Sequence, residues 1–268
     1  METYLVDSFT DTLFKGNPAG VCILKRAITD EQMLAIAQEL GLSETAFIKA
    51  TGQENTFSIR FFSPKMEIPL CGHATLAAAK ILFEKNSSID HIHFTNIQHL
   101  DLKIEKKADK IKMLFPIYTT VPMLASKSLL RALGLSEILH SAYNKETKIL
   151  LLEISDNQVL RNMTPNFEAL VRSHDALNGV LVTTKSDQKE YDFESRYFWP
   201  WSGTPEDPVT GATHTFLAPY WAKRLHKSKM KSFQCSERTG FMDVELKDDT
   251  TLIISGTAKI VLEGTLNL

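Results

Sequence analysis

The chain has 268 residues, with 32 acidic and 30 basic side chains and a formal net charge of −2. Hydrophobic residues make up 43 % and charged residues 23 %, the composition of an ordinary globular protein and not of a disordered one. That length fits one large domain or two of about 100–150 residues, and so balanced a charge gives no drive toward nucleic acid or an anionic membrane.

Met1-Glu2-Thr3 lacks the basic start and apolar run of a secretory signal. Strands are expected at Thr3–Ser8 and Ala19–Leu24. A helix should cover Asp30–Leu40, because Thr29 and Gln32 form a capping box and Gly41 stops it. Further strands are expected at Glu44–Ala50 and Phe57–Phe62. From Ala74 to Phe83 the chain is apolar on nearly every side, the pattern of a helix buried all round. It is too short, and interrupted by Lys80, for the ~20 residues of a membrane span. Strands should follow at His91–Thr95, Leu100–Glu105 and Lys110–Leu114, then a linker between Pro116 and Pro122.

The second half reads similarly. Short helices are expected at Lys127–Leu133 and Phe167–Arg172, and strands at Lys148–Ile154, Gly179–Thr184 and Tyr191–Phe198. A helix through Phe216, Leu217, Tyr220 and Trp221 carries Pro219, which should kink it or limit its length. The remaining strands are Lys231–Ser236, Phe241–Leu246, Thr251–Ser255 and Ala258–Glu263. Cys22, Cys71 and Cys235 are odd in number and far apart, which argues against a disulfide framework and for a reducing, cytoplasmic setting.

One segment occurs twice. Arg60-Phe61-Phe62-Ser63-Pro64 returns as Arg196-Tyr197-Phe198-Trp199-Pro200. Downstream, Glu67, Pro69 and Gly72 match Glu206, Pro208 and Gly211 at identical spacing, with three extra residues in the second loop. Each copy reads as strand, loop, glycine, helix, with the helices opening at Gly72 and Gly211. The chain is therefore expected to be an internal duplication, with halves at 1–117 and 118–268 and a last strand free to pack on the first half.

Two helix starts of this kind offer unpaired N–H groups and positive dipole ends to a carboxylate or phosphate, or they serve only as tight helix entries. His73 lies in a first helical turn, where the dipole should favour neutral imidazole. Asp207 could cap the helix after it or act on a ligand. Glu44 opens a strand, where a carboxylate is usually solvated. Cys71 could be a thiol base or nucleophile, or a small buried hydrophobe. His91-Ile92-His93 has metal-like spacing without the ligands that would complete a site, so a solvated face is expected and no metal is assigned. No glycine-rich phosphate loop, dinucleotide fingerprint or serine-hydrolase elbow is present.

Asp7-Ser8-Phe9-Thr10, Gly16-Asn17-Pro18-Ala19, Leu42-Ser43-Glu44-Thr45-Ala46-Phe47, Pro69-Leu70-Cys71-Gly72-His73-Ala74-Thr75 and Glu206-Asp207-Pro208-Val209-Thr210-Gly211 carry a further signal. So does the closing Val261-Leu262-Glu263-Gly264-Thr265-Leu266. With them the chain resembles the PhzF-like (phenazine biosynthesis-like) family over nearly its whole length. The resemblance implies an α+β, diaminopimelate epimerase-like fold: two pseudo-symmetric halves, each a barrel-like, mostly antiparallel sheet around a central helix, with the active site in the cleft between. It implies a cofactor-independent isomerase in which Glu44 shuttles a proton on a small carboxylated metabolite. His73 and Asp207 would assist, and Gly72, Cys71, Gly211, Ala212 and Thr213 would hold the substrate.

Two positions depart from the family pattern. Ala212 stands where a serine is usual, and Thr213 could replace its hydroxyl. Related epimerases place a cysteine before each helix-opening glycine, whereas here Cys71 faces a counterpart threonine, Thr210. Two-thiol racemisation is therefore not expected. The competing reading is a metabolite-binding or protein-interaction module of the same fold with little turnover, and a Cys71-dependent racemase or hydrolase comes third. A homodimer is left open.

Overall fold

The computed structural model describes residues 1–268 and divides into two compact units, residues 1–114 with 253–268, and residues 115–252. The expected boundary at 117/118 shifts slightly. The return of the chain at Ile253 also takes more than the last strand out of the second half.

The first unit opens with strands β1 (Glu2–Ser8) and β2 (Asn17–Ile23), paired antiparallel. Helix α1 (Asp30–Leu40) starts and stops where its residues dictate. Thr29 accepts from the Gln32 N–H, Gln32 reaches back to Thr29, and Gly41 takes the left-handed conformation at φ 62°. Strand β3 (Glu44–Ala50) then runs parallel to β2, and β4 (Thr56–Phe62) antiparallel to β3. A two-residue strand, β5 (Glu67–Ile68), leads into helix α2 (Gly72–Lys85). Strands β6 (His91–Thr95), β7 (Asp101–Lys107) and β8 (Lys110–Pro116) form a meander.

Helix α2 buries every residue from His73 to Ala79 together with Ile81, Leu82 and Phe83. It packs against β1, β2 and β3. Small alanines on several faces let strands approach from all sides, which makes it the core of this unit.

The second unit repeats the order. It comprises β9 (Val121–Pro122), α3 (Lys127–Leu133), β10 (His140–Asn144), β11 (Ile149–Glu153), α4 (Asn157–Arg161) and α5 (Phe167–Arg172). After them come β12 (Gly179–Lys185), β13 (Phe193–Trp199), β14 (Thr204–Asp207), α6 (His214–Leu225), β15 (Lys229–Gln234) and β16 (Gly240–Leu246). β10–β11 is antiparallel, β11–β12 parallel and β12–β13 antiparallel; β13–β14 is antiparallel, β13–β15 parallel and β15–β16 antiparallel. That succession matches β1 to β7 strand for strand.

The signature of the repeat is chemical as well as topological. Arg60 forks onto Glu67 with contacts of 2.7 and 2.6 Å, and Arg196 onto Glu206 with 2.7 and 2.7 Å. Each guanidinium also lies over the phenylalanine two residues on, at 5.2 and 5.0 Å.

Strand β17 (Thr251–Gly256) leads the chain back, and β18 (Ala258–Thr265) pairs with β1. Within the first unit it lies against α2 as well. None of the helices is long and apolar enough to cross a membrane.

Three local expectations need correction. Helix α6 opens at His214, not at Gly211. Residues 211–213 enter it through tight turns, in which the His214, Thr215 and Phe216 N–H groups donate three residues back. Pro219 does not end the helix, which continues to Leu225. Its missing N–H would have bonded the Thr215 carbonyl, and the Tyr118 N–H takes that place at 2.9 Å. For the same reason the stretch from Pro116 to Pro122 is no loose linker. Ile117 donates to the Thr250 carbonyl and Asn144 to the Thr119 carbonyl. The alternation rules did not find β10, the short strands β5, β9 and β14, or the single turn of α4.

Candidate functional site

Glu44 is the first residue of β3, and Cys71 and His73 flank the glycine that opens α2. The fold brings the three together inside the first unit. His73 Nε2 lies 3.2 Å from Glu44 Oε2, and His73 Nδ1 lies 3.4 Å from Cys71 Sγ. Ser43 Oγ stands 3.4 Å from the same Nε2.

The backbone beneath is fixed at two points. Ser8 donates its hydroxyl to the His73 carbonyl at 2.7 Å, and Thr75 donates to the Cys71 carbonyl at 2.7 Å. Glu44, Cys71 and His73 are 7–8 % exposed, enough for solvent to reach the cluster and too little to hydrate it fully.

Burial sets the electrostatics. It works against charge on Glu44, yet the hydrogen bonds and charge of His73, with help from Ser43 and Cys71, hold the carboxyl below its ordinary range. Burial likewise opposes an imidazolium at His73, and its contacts with Cys71 and Glu44 outweigh it and lift the ring well above its usual value. Burial also pushes the Cys71 thiol up, so it keeps its proton at neutral pH. Burial and contacts together thus favour the carboxylate at Glu44 and the thiol at Cys71, and the pull of His73 toward imidazolium comes from these same two neighbours.

One expectation is thereby overturned: Glu44 is not a solvated strand end but is buried 3.2 Å from the His73 ring, a contact that works against the helix dipole and pulls the imidazole pKa upward.

The second unit holds the other expected residues in a self-contained turn. Asp207, half-buried at the end of β14, accepts from the Thr210 hydroxyl. The Thr210 N–H donates to Gln234 Oε1 at 2.9 Å, and Gln234 donates back to the Asp207 carbonyl at 2.7 Å. Gly211 is buried and Ala212 exposed. Thr213 is fully buried and its hydroxyl donates to the Thr210 carbonyl at 3.0 Å, so that proton is not available to replace the family serine.

His214 did not stand out in the sequence. Its Nδ1 is 3.0 Å from the Thr210 carbonyl, which can only accept, so the ring is protonated there. Nε2 then accepts from Ser232 at 2.9 Å, and burial lowers the pKa to about 4. Ser43 and Ser8 were missed as well. A serine hydroxyl in a loop or at a strand end carries no periodic signal.

Sγ of Cys71, a ring nitrogen of His73 and a carboxylate oxygen of Glu44 all lie within 4.8 Å of one another. No metal was expected, because no motif in the sequence supplies a recognised ligand set. His91 and His93 lie on one exposed strand face, each beside an aspartate, at 2.9 and 3.5 Å.

Comparison with known proteins agrees with the motifs. The family model described as phenazine biosynthesis-like protein matches residues 6–264. A mouse phenazine biosynthesis-like domain-containing protein is 39 % identical over 285 residues, covering 98 % of each chain. An uncharacterized isomerase of Pseudomonas aeruginosa is 37 % identical over 265 residues, covering 99 % of this chain and 98 % of its own. The crystal structure of a putative phenazine biosynthesis PhzC/PhzF protein from Clostridium difficile is 37 % identical and superposes with a TM-score of 0.90 over 100 % of both chains. The fold is thus the α+β, diaminopimelate epimerase-like one. By a match that runs almost from end to end, the chain belongs to the phenazine biosynthesis-like, PhzC–PhzF family.

Proposed function

We propose that the protein is a cofactor-independent isomerase that moves a proton on a small carboxylated metabolite, with Glu44 taking the proton and returning it. The observation that carries this reading is the buried Glu44–His73 pair at the start of α2. The bacterial relative named an isomerase supports the reaction class.

Glu44 is present as carboxylate at neutral pH, the form a general base needs. A depressed pKa makes it a weak base, so most of the barrier must fall through stabilisation of the carbanion. The His73 imidazolium and the first N–H groups of α2 supply positive charge there, since the opening turn of a helix lacks intrahelical acceptors. Proton removal gives an enolate and a neutral Glu44; return of the proton to another carbon restores the carboxylate. No electrons leave and no co-reactant is consumed. Asp207 and the turn Gly211-Ala212-Thr213 are assigned to orienting the substrate, on the family motif. A binding module without turnover draws support from Ala212 and from the engaged Thr213 hydroxyl.

The test is solvent deuterium incorporation into a panel of small carboxylic acids bearing acidic C–H bonds. Glu44→Gln should lower the exchange rate by about 10²–10⁴-fold while leaving carboxylate binding near wild type, because the amide is isosteric and cannot hold the proton. Asp207→Asn should slow exchange as well. Undiminished exchange in Glu44→Gln would move the chemistry to another group. No exchange with any acid tested, alongside intact binding, would favour the module.

A further inference from the structure

We propose that Tyr197 is a substrate-binding residue of the second unit, whose phenol hydroxyl donates a hydrogen bond to a carboxylate oxygen of the ligand. The proposal rests on the assignment of Asp207 and the Gly211-Ala212-Thr213 turn to orienting a carboxylated substrate, and not on proton transfer at Glu44.

The two units differ in chemistry at this position. Arg60 and Arg196 correspond, so Tyr197 stands where the first unit has Phe61. Tyr197 pairs with Asp207 across β13 and β14 as Phe61 pairs with Ile68 across β4 and β5. Residues directly opposite share one face of a sheet. Two apolar side chains in one unit are thus a phenol and a carboxylate in the other. Phe61 is fully buried, so the scaffold itself needs no polar atom there.

Tyr197 is only 4 % exposed, and its hydroxyl has no hydrogen-bond partner in the protein. Its neighbours are served differently. Tyr220 donates to Glu153 at 2.6 Å, Trp221 to Thr183 at 3.0 Å and Trp199 to Asn178 at 3.0 Å. A buried hydroxyl without a partner is destabilising, and nothing in the fold offsets that here. The Tyr197 oxygen is not sealed from solvent, so its partner can come from outside the chain.

The hydroxyl lies 2.6 Å from where a Cβ on Gly179 would be, and the missing side chain is what lets the ring lie over β12. By strand register Gly179 is the counterpart of Glu44. Strands β12 and β14 flank β13 on opposite sides, so the ring carries its oxygen away from the strand of Asp207. A ligand carboxylate at Tyr197 is thereby kept apart from the Asp207 carboxylate. Burial, with the charge of Asp207, pushes the phenol pKa up, which keeps the proton on oxygen and the group a donor.

The experiment measures, by calorimetry, the affinity of the full chain for acetate, succinate, fumarate and benzoate. Wild type is compared with Tyr197→Phe and Tyr220→Phe. Wild type should bind at least one of these acids. Tyr197→Phe should weaken the tightest about 10–100-fold, the loss of a hydrogen bond to a charged group. The same variant should keep or raise its denaturation midpoint, because no bond within the protein is lost. Tyr220→Phe should do the reverse, lowering the midpoint and leaving affinity unchanged. No binding of any acid would overturn the proposal. So would unchanged affinity in Tyr197→Phe, a loss of affinity there that comes with a lower midpoint, or an equal loss in Tyr220→Phe. Deuterium exchange reads the isomerase proposal separately. Weakened binding in Tyr197→Phe, with no exchange in wild type, would uphold Tyr197 and reject the isomerase. Exchange in wild type, with KM unchanged in Tyr197→Phe, would do the opposite.

Discussion

The helix start of the first unit and that of the second occupy the same place in the repeated motif and have diverged in opposite directions. Cys71-Gly72-His73 gathers a charged pair with Glu44, whereas Thr210-Gly211-Ala212 is closed on itself by Asp207, Gln234 and His214. The strand registers identify what stands at each position. Thr45 pairs with Phe62 as Val180 pairs with Phe198, so the residue matching Glu44 is Gly179. A side chain there would meet the Tyr197 ring, which lies 2.5 Å from where a Cβ would be. In the second unit an aromatic ring fills the space that the first gives to a carboxylate.

Thr75 and His214 also correspond. Thr75 donates its hydroxyl to the Cys71 carbonyl and His214 its Nδ1–H to the Thr210 carbonyl, so both close the same helical turn. Duplication kept the scaffold bond and freed the neighbouring positions. Two histidines near two helix starts thus have pKa values pulled in opposite directions, one beside a carboxylate and the other buried against neutral groups.

The comparison can be broken first at the two arginine forks. Arg196 holds Glu206 and also donates to the Leu160 and Met163 carbonyls, with only 10 % of its side chain exposed. Arg196→Met should therefore cost about 3–5 kcal/mol in chemical denaturation, because it strands a carboxylate and two carbonyls. Next comes His214. Unfolded, it takes a proton near pH 6.5, and folded, only near pH 4. Acidification across that window favours the unfolded chain, by about 3 kcal/mol at most. His214→Gln should remove that part of the stability slope. His73 has the opposite sign, contributing stability below the ordinary histidine pKa that is lost as pH rises through its raised value.

Gly179→Ala should cost about 1–3 kcal/mol, read as a lower midpoint, because the Tyr197 ring must yield. Full stability in that variant would undo the equivalence drawn with Glu44. The smallest effect belongs to Arg60→Met, at about 1 kcal/mol or less. Its side chain is 24 % exposed and one of its two acidic partners, Asp30, is largely in water.

Much of this was legible in the chain. The capping box and stop glycine fixed both ends of α1, since those bonds are local. The apolar run after Gly72 announced a helix buried on all sides. The Arg-aromatic-Pro repeat announced two similar units before any strand was paired. The misses share a cause. β10 carries a histidine and a serine whose partners, Tyr220 and the Met123 carbonyl, lie far along the chain, and an asparagine spent on the following turn at Glu146 and Thr147, while α4 depends on a single aspartate cap. The opening of α6 moved because glycine permits a helix entry without requiring one. The surroundings of His73 were hidden for a similar reason: the dipole is a property of its own helix, and Glu44 arrives from another strand. Family motifs named Glu44, which spacing alone assigned to solvent.

The bond between Tyr118 and the Thr215 carbonyl has a consequence for how motion in the second unit can be followed. Proline leaves one carbonyl of α6 without its helical donor, and a residue outside the helix fills the vacancy. The Tyr118 amide is then a sentinel for a helix to which it does not belong. It should exchange with solvent hydrogen only when the turn around Thr215 opens, since its protection depends on that acceptor alone. An isotope-exchange rate at residue 118 would therefore report the breathing of α6 from a position where substitution leaves the helix sequence untouched.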